Sequence, residues 1–357
     1  MNIYVWKYTK EQGFQTVTLI DYAISVIWIR RYQKAGEFEL YLPATADLFS
    51  LFLDGLTFLT KEDELETAMK VESVQLTTDP EEGDRLIVSG RSAECILAQR
   101  IVFHKFDYSG YVDECIYQLV TENAVNPTRS PSPTMNATRK IEELSIGTGH
   151  FSESNITTQL NGENLLEAVQ DICVSADFGF KVIFNGTGFV FRLYQGEDKT
   201  KTVIFSPEFE NIGSTEYLYD MTTYHNLIQE TGDFNGTRYR VEDIESSEIG
   251  GLYLREKHID SESIETDETT TVSDFVQILR QRAKQNRYQA KEKKEFSGEI
   301  VNTEMYKYGQ DYHLGDKVSI VNGYGIEGTA IVSEITETED SAGYRLIPIF
   351  SDWRVVT

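Results

Sequence analysis

The 357-residue chain carries 58 Asp and Glu against 33 Lys and Arg, a formal net charge of -25. Specific nucleic-acid binding rests on neutralising phosphates with basic side chains, so this balance argues against a nucleic-acid reader. With 40% hydrophobic and 12% aromatic residues and seven Pro, the composition is that of a folded, β-rich protein, and the length admits two to four units.

Residues 1–100 read as β throughout. NIYVWKY, QTVTLI, ISVIWIRRY, EFELYLP, LTFLT, MKVESVQLTT and RLIVSGRS are short runs rich in Val, Ile, Tyr and Phe. Seven strands at this spacing predict a barrel or sandwich. One corner, VIWIRRYQKAGEFELYLP, crowds Trp28, Arg30, Arg31 and Tyr32 before Gly36. Phe38, Leu40 and Leu42 then alternate with Glu37, Glu39 and Tyr41, which predicts a hairpin with one face in a core.

The texture then changes. GYVDECIYQLVTEN places Val112, Cys115, Ile116, Leu119 and Val120 on one helical stripe. NPTRSPSPTMNATRK holds three of the seven Pro and reads as an exposed loop. NGENLLEAVQDICVSADFGF predicts a second helix, capped by Asn161 or Asn164, with Leu165, Leu166, Val169, Ile172 and Cys173 on its apolar face. GFKVIFNGTGFVFRLY is the clearest hairpin, turning at Asn185-Gly186-Thr187-Gly188.

From Thr202 the chain returns to β with TVIFSPEFENI, HNLIQETGDF and TRYRVEDI. The longest predicted helix follows, capped by Thr271 or Ser273, with Val272, Phe275, Val276, Leu279 and Ala283 as its stripe and a basic end that suits the helix dipole. The remainder, from FSGEIVN to IPIFSD, is β again. The predicted architecture is mainly β with α+β inserts. A first β unit covers 1–100 and an α+β unit 101–195. A second β unit covers 196–240 and 296–357, interrupted by a helix-bearing insert over 241–295.

Motifs for chemistry are missing: the sequence contains no H-E-x-x-H, G-x-S-x-G, P-loop, Rossmann fingerprint or C-x-x-C. No catalytic residue, cofactor or metal ligand is predicted. Cys95, Cys115 and Cys173 read as small buried thiols. His104, His150, His225, His258 and His313 are dispersed and read as structural hydrogen-bonders. The acidic runs KEDELE and TETEDS read as charged loops. RQRAKQNRYQAKEKK reads as a solvated helix face, with phosphate binding as the alternative. The sequons at Asn136, Asn155, Asn185 and Asn235 read as turns. MNIYVWKYTK lacks the apolar core of a secretory signal, and YAISVIWI is far short of the roughly 20 residues that span a bilayer. A cytosolic origin and no membrane-spanning segment are expected.

Four stretches in order carry a resemblance: WIRRYQKAGEFELYLP, NGENLLEAVQDICVSADFGFKVIF, YQGEDKTKTVIFSPEFENI and YGQDYHLGDKVSI. Together they resemble the siphophage ReqiPepy-type tail proteins of phages and prophages of Gram-positive bacteria, over Ile3 to about Asp352. These look like the hub part of tail-associated lysins and are similar in fold to the baseplate hub of contractile tails. The resemblance implies two tube-type β-barrel domains per chain, with helix-bearing inserts decorating the outside. It implies a homotrimeric ring at the virion tail tip that continues the sixfold tube. Its implied partners are further copies of itself, the distal tail or tube hexamer protein, the tape measure protein, and a tip spike or receptor-binding protein. DNA passes through without specific binding. The chain ends at SDWRVVT, where the last barrel is expected to close, so the lytic extension of many relatives is not expected. A wall-degrading hydrolase and a carbohydrate-binding adhesin are the alternatives.

For the Trp28 corner two arrangements stand. Trp28, Arg30, Arg31, Glu37 and Glu39 are candidate inter-subunit contacts, with Arg30 and Glu37 or Glu39 on the face turned to a neighbour. Alternatively, Arg and Glu pair across strands within one chain. A DNA conduit is also expected to be acid-lined, with the basic stretch from Arg280 to Lys294 turned away from the bore.

Overall fold

The computed structural model describes all residues except 54, 80–82, 150–152, 262–263, 265, 267–269, 302–304 and 356–357, so His150 lies outside the described residues. The seven predicted N-terminal strands form as β1 (Ile3–Thr9), β2 (Gly13–Ile20), β3 (Ser25–Arg31), β4 (Glu37–Pro43), β5 (Leu56–Lys61), β6 (Glu64–Asp79) and β7 (Gly83–Ser92). They pair antiparallel in the order β3-β4-β7-β6-β5-β1-β2. The inward side chains Ile3, Val5, Ile20, Trp28, Phe38, Leu40, Leu59 and Val88 form one core. A helix not expected from the sequence, α1 (Ala46–Leu53), covers this core with Leu48 and Phe52. Thr45 starts it, its hydroxyl accepting the Leu48 N–H at 3.2 Å.

The α+β unit contains β8 (Phe106–Tyr111), α2 (Val112–Val120), α3 (Pro133–Arg139), β9 (Leu144–Ile146), β10 (Asn155–Leu160), α4 (Leu165–Ala176), β11 (Gly179–Phe184) and β12 (Phe189–Tyr194). Both predicted stripes are buried in full. Asn164 caps α4, accepting the Leu166 N–H at 3.0 Å. The β11–β12 hairpin turns where expected, with the Asn185 side chain accepting the Gly188 N–H at 2.9 Å. The Pro-rich segment departs from the expected loop. Ser132 caps α3 and Pro133 stands in the first turn, where a missing N–H costs nothing. Arg139 is buried at the far end, its guanidinium 4.4 Å from the Phe103 ring centroid and donating to the Ile101 carbonyl at 2.9 Å. This unit sits on the first sheet through an aromatic contact: Phe14 meets Phe184 at 4.9 Å, and Phe58 meets Phe189 at 5.2 Å.

Next come β13 (Ile204–Phe205), β14 (Ile212–Asp220), β15 (Leu227–Phe234), β16 (Thr237–Ile244), β17 (Glu256–Asp260), α5 (Val272–Gln289), β18 (Lys293–Ile300), β19 (Lys317–Val321), β20 (Glu327–Asp340) and β21 (Gly343–Val355). The second large unit pairs β14-β18-β21-β20, with β19 joining β13 to β20. Phe205, Phe296, Val318, Ile320, Val332, Ile335 and Phe350 fill its core. The sheet does not end there. β20 pairs antiparallel with β3, so one continuous path of strands runs through both large units.

The insert begins earlier than residue 241. β15 pairs with β16 on one side and β17 on the other in a separate three-stranded sheet. The β texture runs unbroken across residue 240, so it does not mark the change of sheet. The Asn235-Gly236 turn, with φ of 49° and 74°, closes the hairpin locally. α5 covers this sheet. Its capping box joins Thr271 and Asp274. Phe275, Leu279 and Ala283 are buried as expected, Val272 is exposed, and Ile278 is buried in addition. Gly232 permits the close approach, since a Cβ there would lie 3.0 Å from the Phe275 ring.

Leu279 is fully buried in the insert core. Leu279→Ala is expected to lower stability by about 2–5 kcal/mol in urea denaturation. A loss below about 1 kcal/mol, the range of surface changes, would contradict this packing.

Candidate functional site: a buried charge cluster where the two sheets join

Strand periodicity places Trp28 and Arg30 on the same face of β3. Trp28 points into the first core and is fully buried, tilted against Phe38 at 6.0 Å. Two residues on, Arg30 passes beyond that core into the joint. There it meets groups from two acidic runs read as charged loops. KEDELE forms the tight β5–β6 hairpin, which pairs Lys61 with Glu64. TETEDS lies in the β20–β21 hairpin and carries Glu337 inward.

The cluster is compact. Arg30 Nη1 donates to Glu64 at 2.7 and 2.9 Å, and Nη2 donates to Glu337. Lys61 Nζ donates to Glu337 at 3.1 and 2.8 Å and stands 2.8 Å from Glu64 Oε2. The Thr67 hydroxyl donates to Glu64 at 2.6 Å. Two cations and two carboxylates thus cancel. Lys61 and Glu337 are 7% and 3% exposed, so each depends on the others for its compensation.

Tyrosines wall this cluster. The Arg30 guanidinium lies 4.6 Å from the Tyr308 ring centroid. Burial, partly opposed by Arg30, pushes the Tyr308 hydroxyl up to about 12. Burial and the Glu337 carboxylate raise Tyr344. Burial works against the charge of Glu64, but Arg30 and Lys61 outweigh it and hold the carboxyl below the ordinary value. A general acid at neutral pH needs the opposite shift. The cluster borders a cleft of about 1430 Å³ where both large units and the α+β unit meet, lined in part by Glu94, Phe180, Tyr194 and His313.

The three units are pinned beside it by Tyr32. Its N–H donates to the Ser333 carbonyl at 3.0 Å, its hydroxyl donates to the Asp177 carbonyl at 3.1 Å, and its ring meets Tyr194 edge-on at 5.4 Å. Gly179 and Gly315 make room for the ring: a Cβ would lie 2.3 Å and 2.4 Å from it. Gly36 has a similar cause. A Cβ there would come within 2.1 Å of the Ile29 carbonyl oxygen, so the crowded corner needs glycine for close backbone approach.

The five candidate contact residues divide between two faces. Trp28 and Arg30 face inward and are engaged within the chain. Arg30 therefore does not share the face of Glu37 and Glu39, as expected from the sequence; its even spacing from Trp28 sets the opposite side. Arg31, Glu37 and Glu39 face outward. Arg31 Nε donates to Glu334 at 2.6 Å, and its Nη1 lies 3.0 Å from Glu37. Glu37 is exposed and Glu39 half-buried.

The remaining candidates are scattered. His258 Nε2 lies 3.0 Å from the Thr231 hydroxyl, and His225 Nδ1 lies 2.9 Å from the Thr223 carbonyl. The three cysteines are buried and free. Among the described residues no group of three His, Cys, Asp or Glu converges to hold a metal, and no helix is long and apolar enough to cross a membrane. At the basic end of α5 Arg287 pairs with Asp243, and just beyond it Lys291 lies 4.4 Å over the Tyr288 ring and Lys294 of β18 pairs with Glu292.

This architecture, two large β units fused through one strand pairing and decorated by helical units, defines a class with solved members. The prophage MuSo2 43 kDa tail protein from Shewanella oneidensis superposes with a TM-score of 0.56 at 13% identity, over 98% of this chain and 98% of that one. The tail protein from Neisseria meningitidis MC58 gives 0.55 at 10% identity, over 98% and 96%. The prophage tail protein gp18 from Listeria monocytogenes EGD-e gives 0.50 at 13% identity, over 99% and 94%. At these identities the likeness is one of fold. The chain itself belongs to the siphovirus ReqiPepy6 Gp37-like protein family, whose model matches residues 2–350. No curated protein matches it.

Removing one member of the cluster leaves a buried charge unpaired. Glu337→Gln is expected to destabilise the chain by about 3–5 kcal/mol in denaturant titration; a change under about 1 kcal/mol would show the cluster to be solvated. The pH response follows from Glu64. Its folded-state pKa is depressed, so its stabilisation is present above the ordinary value of 4.5 and is lost as pH falls through the lower folded value. Thermal midpoints should therefore drop more steeply below about pH 4.5 in the parent chain than in Glu64→Gln. Parallel profiles would refute the coupling.

Proposed function

We propose that the chain is a structural protein of a phage or prophage tail, and that three copies form a hub ring at the tail tip. This ring joins the tube to the tip and forms part of the DNA conduit. The observation that carries the reading is the fusion of two large β units into one sheet within a single chain. Three such chains supply six units, the number needed to continue a sixfold tube. Family membership and the full-length likeness to three tail proteins support it. So does the inward neutralisation of the buried carboxylates, which suits a joint better than an acid–base site.

Arg31, Glu37 and Glu39 remain the side chains we assign to a neighbour in the ring. The ring's further partners are the tube hexamer above, the tape measure protein within, and a spike or receptor-binding protein below. DNA passes without being held. Counterion release would add drag at every basic contact, whereas acid repels the polyanion. Within a narrow bore that repulsion stays effective, because the Debye length is about 8 Å at physiological salt.

A reconstruction of the native particle tests the reading. It should contain three copies per ring, with Asp and Glu outnumbering Lys and Arg on the bore and Arg280 to Lys294 turned outward. A ring of one or six copies would sink the hub assignment. A neutral or basic bore would sink the charge argument alone. The purified chain should leave no clearing in a host cell-wall zymogram.

A further inference from the structure

The two large β units are built to one plan. Neighbouring strands run β3-β4-β7-β6-β5 in the first and β14-β18-β21-β20-β19 in the second. Both sets follow the same order in the chain, and every one of these pairs is antiparallel. The match extends to single residues. β6 bulges at Glu72, between the pairs Val71–Gly90 and Ser73–Ser89. β20 bulges at Ser333, between Val332–Phe350 and Glu334–Ile349. Aligned on these bulges, Phe38 of β4 corresponds to Phe296 of β18. Through those two residues, Trp28 of β3 corresponds to Tyr217 of β14.

The joint within the chain uses one part of this plan from each unit. β19 stops pairing with β20 at Ile331, and β3 takes the same strand's second half, from Glu334 to Glu339. The second half of β6 is its counterpart. β5 stops at Lys70, and among the described residues no strand pairs beyond it on that edge. β14, the counterpart of β3, has β18 on one side and no strand on the other. The first unit therefore keeps an unused receiving edge, and the second keeps an unused strand. Both carry bare apolar side chains on their core faces. Leu76 lies opposite the buried Leu86 and is 47% exposed, and Tyr217 lies opposite the buried Phe296 and is 44% exposed. β14 is exposed on both faces from Ser214 to Tyr219.

We propose that β14 of one copy pairs antiparallel with the Ser73–Thr78 edge of β6 in a second copy, repeating between chains the β3–β20 joint found within one. The interface rests on the hub reading and supplies its contact between copies. Register transfers from the internal joint, where Trp28 faces Glu337 and Arg30 faces Ile335. Tyr217 then faces Leu76, Tyr219 faces Val74 and Leu218 faces Gln75. Aromatic side chains meet aliphatic ones on the core face, a favourable cross-strand combination. Glu216 falls opposite Thr77 and Asp220 opposite Ser73, so the acidic chain sets no like charges directly against each other here. β2 is also an open edge, but the internal joint uses neither β2 nor a counterpart of it. Three copies joined through β14 and β6 close the path of strands on itself. The β5-β1-β2 strands then branch off at β6, as β19 and β13 branch off at β20.

Cysteine cross-linking in assembled tails tests the register. Residues directly opposite in an antiparallel pair have Cα atoms about 4.5–5.5 Å apart, within disulfide reach. Within one chain six strands lie between β14 and β6, and the three native cysteines are buried. Oxidised tails carrying Leu76→Cys with Tyr217→Cys should therefore give a covalent trimer on non-reducing gels. Leu76→Cys with Leu218→Cys, one residue out of register and on the opposite face, should give none. Cross-linking by the shifted pair as readily as by the matched pair overturns the interface. A reconstruction of the parent tail needs no substitution and reads the same contact. Three copies with β14 against β6 support the proposal. Three copies with β14 apart from β6 overturn it and leave the hub reading standing, whereas one or six copies overturn both.

Discussion

The pairing of β3 with β20 is the constraint on which the rest of the molecule depends. Six residue pairs, from Arg31–Glu334 to Val26–Glu339, are the strand contact between the two large units. Side chains alternate with a period of two, so a slip of one residue would turn Arg30 outward and leave Glu337 and Lys61 buried with altered compensation. The charge cluster therefore makes wrong registers expensive. Its net contribution to stability is a different matter, since desolvating two carboxylates and two cations offsets much of their attraction. Register is what the cluster specifies, and Tyr32 carries that register into the α+β unit through Asp177 and Tyr194.

Much of the molecule was legible locally. The seven N-terminal strands, the α2 and α4 stripes and the β11–β12 hairpin depend on neighbours within about ten residues, and periodicity or turn chemistry marks them plainly. The same holds for the capping box of α5. The features that escaped notice have two causes. α1 and α3 are helices of eight and seven residues, too short for a clear period, and α3 is disguised by Pro at a position where Pro belongs. Ser132 before Pro133 was the available signal.

The charge cluster escaped for another reason. Arg30 and Glu337 are 307 positions apart, and Lys61 and Glu337 are 276 apart. Nothing in KEDELE or TETEDS separates the buried carboxylates from exposed neighbours except phase. Glu337 alternates with Thr336 and Thr338 in a strand, and a strand carrying Ile335 inward must also carry Glu337 inward. Phase could likewise have moved Arg30 to the face of Trp28. The insert boundary carried no such signal: β14 and β15 have similar composition, and only their pairing partners distinguish them.

The continuous sheet has a further physical consequence. Its path ends at β14 on one side and β2 on the other. Along β14, Tyr217, Leu218 and Tyr219 are all exposed, and on β2 Val17 is exposed. Open edges with apolar side chains invite another strand, and proteins that leave them uncovered aggregate. In a single chain β14 and the other open edges are different surfaces. A contact of β14 with one of them on another copy is head-to-tail, which closes into a ring if the rotation permits and otherwise grows without limit. The hub reading needs the closing case. A net charge of -25 opposes unlimited growth by repulsion between free copies, so on the hub reading assembly would wait for a template that fixes the rotation. In the proposed hub, a tail tube with sixfold symmetry would be such a template, and the ring would then be a property of the particle before it is a property of the isolated chain.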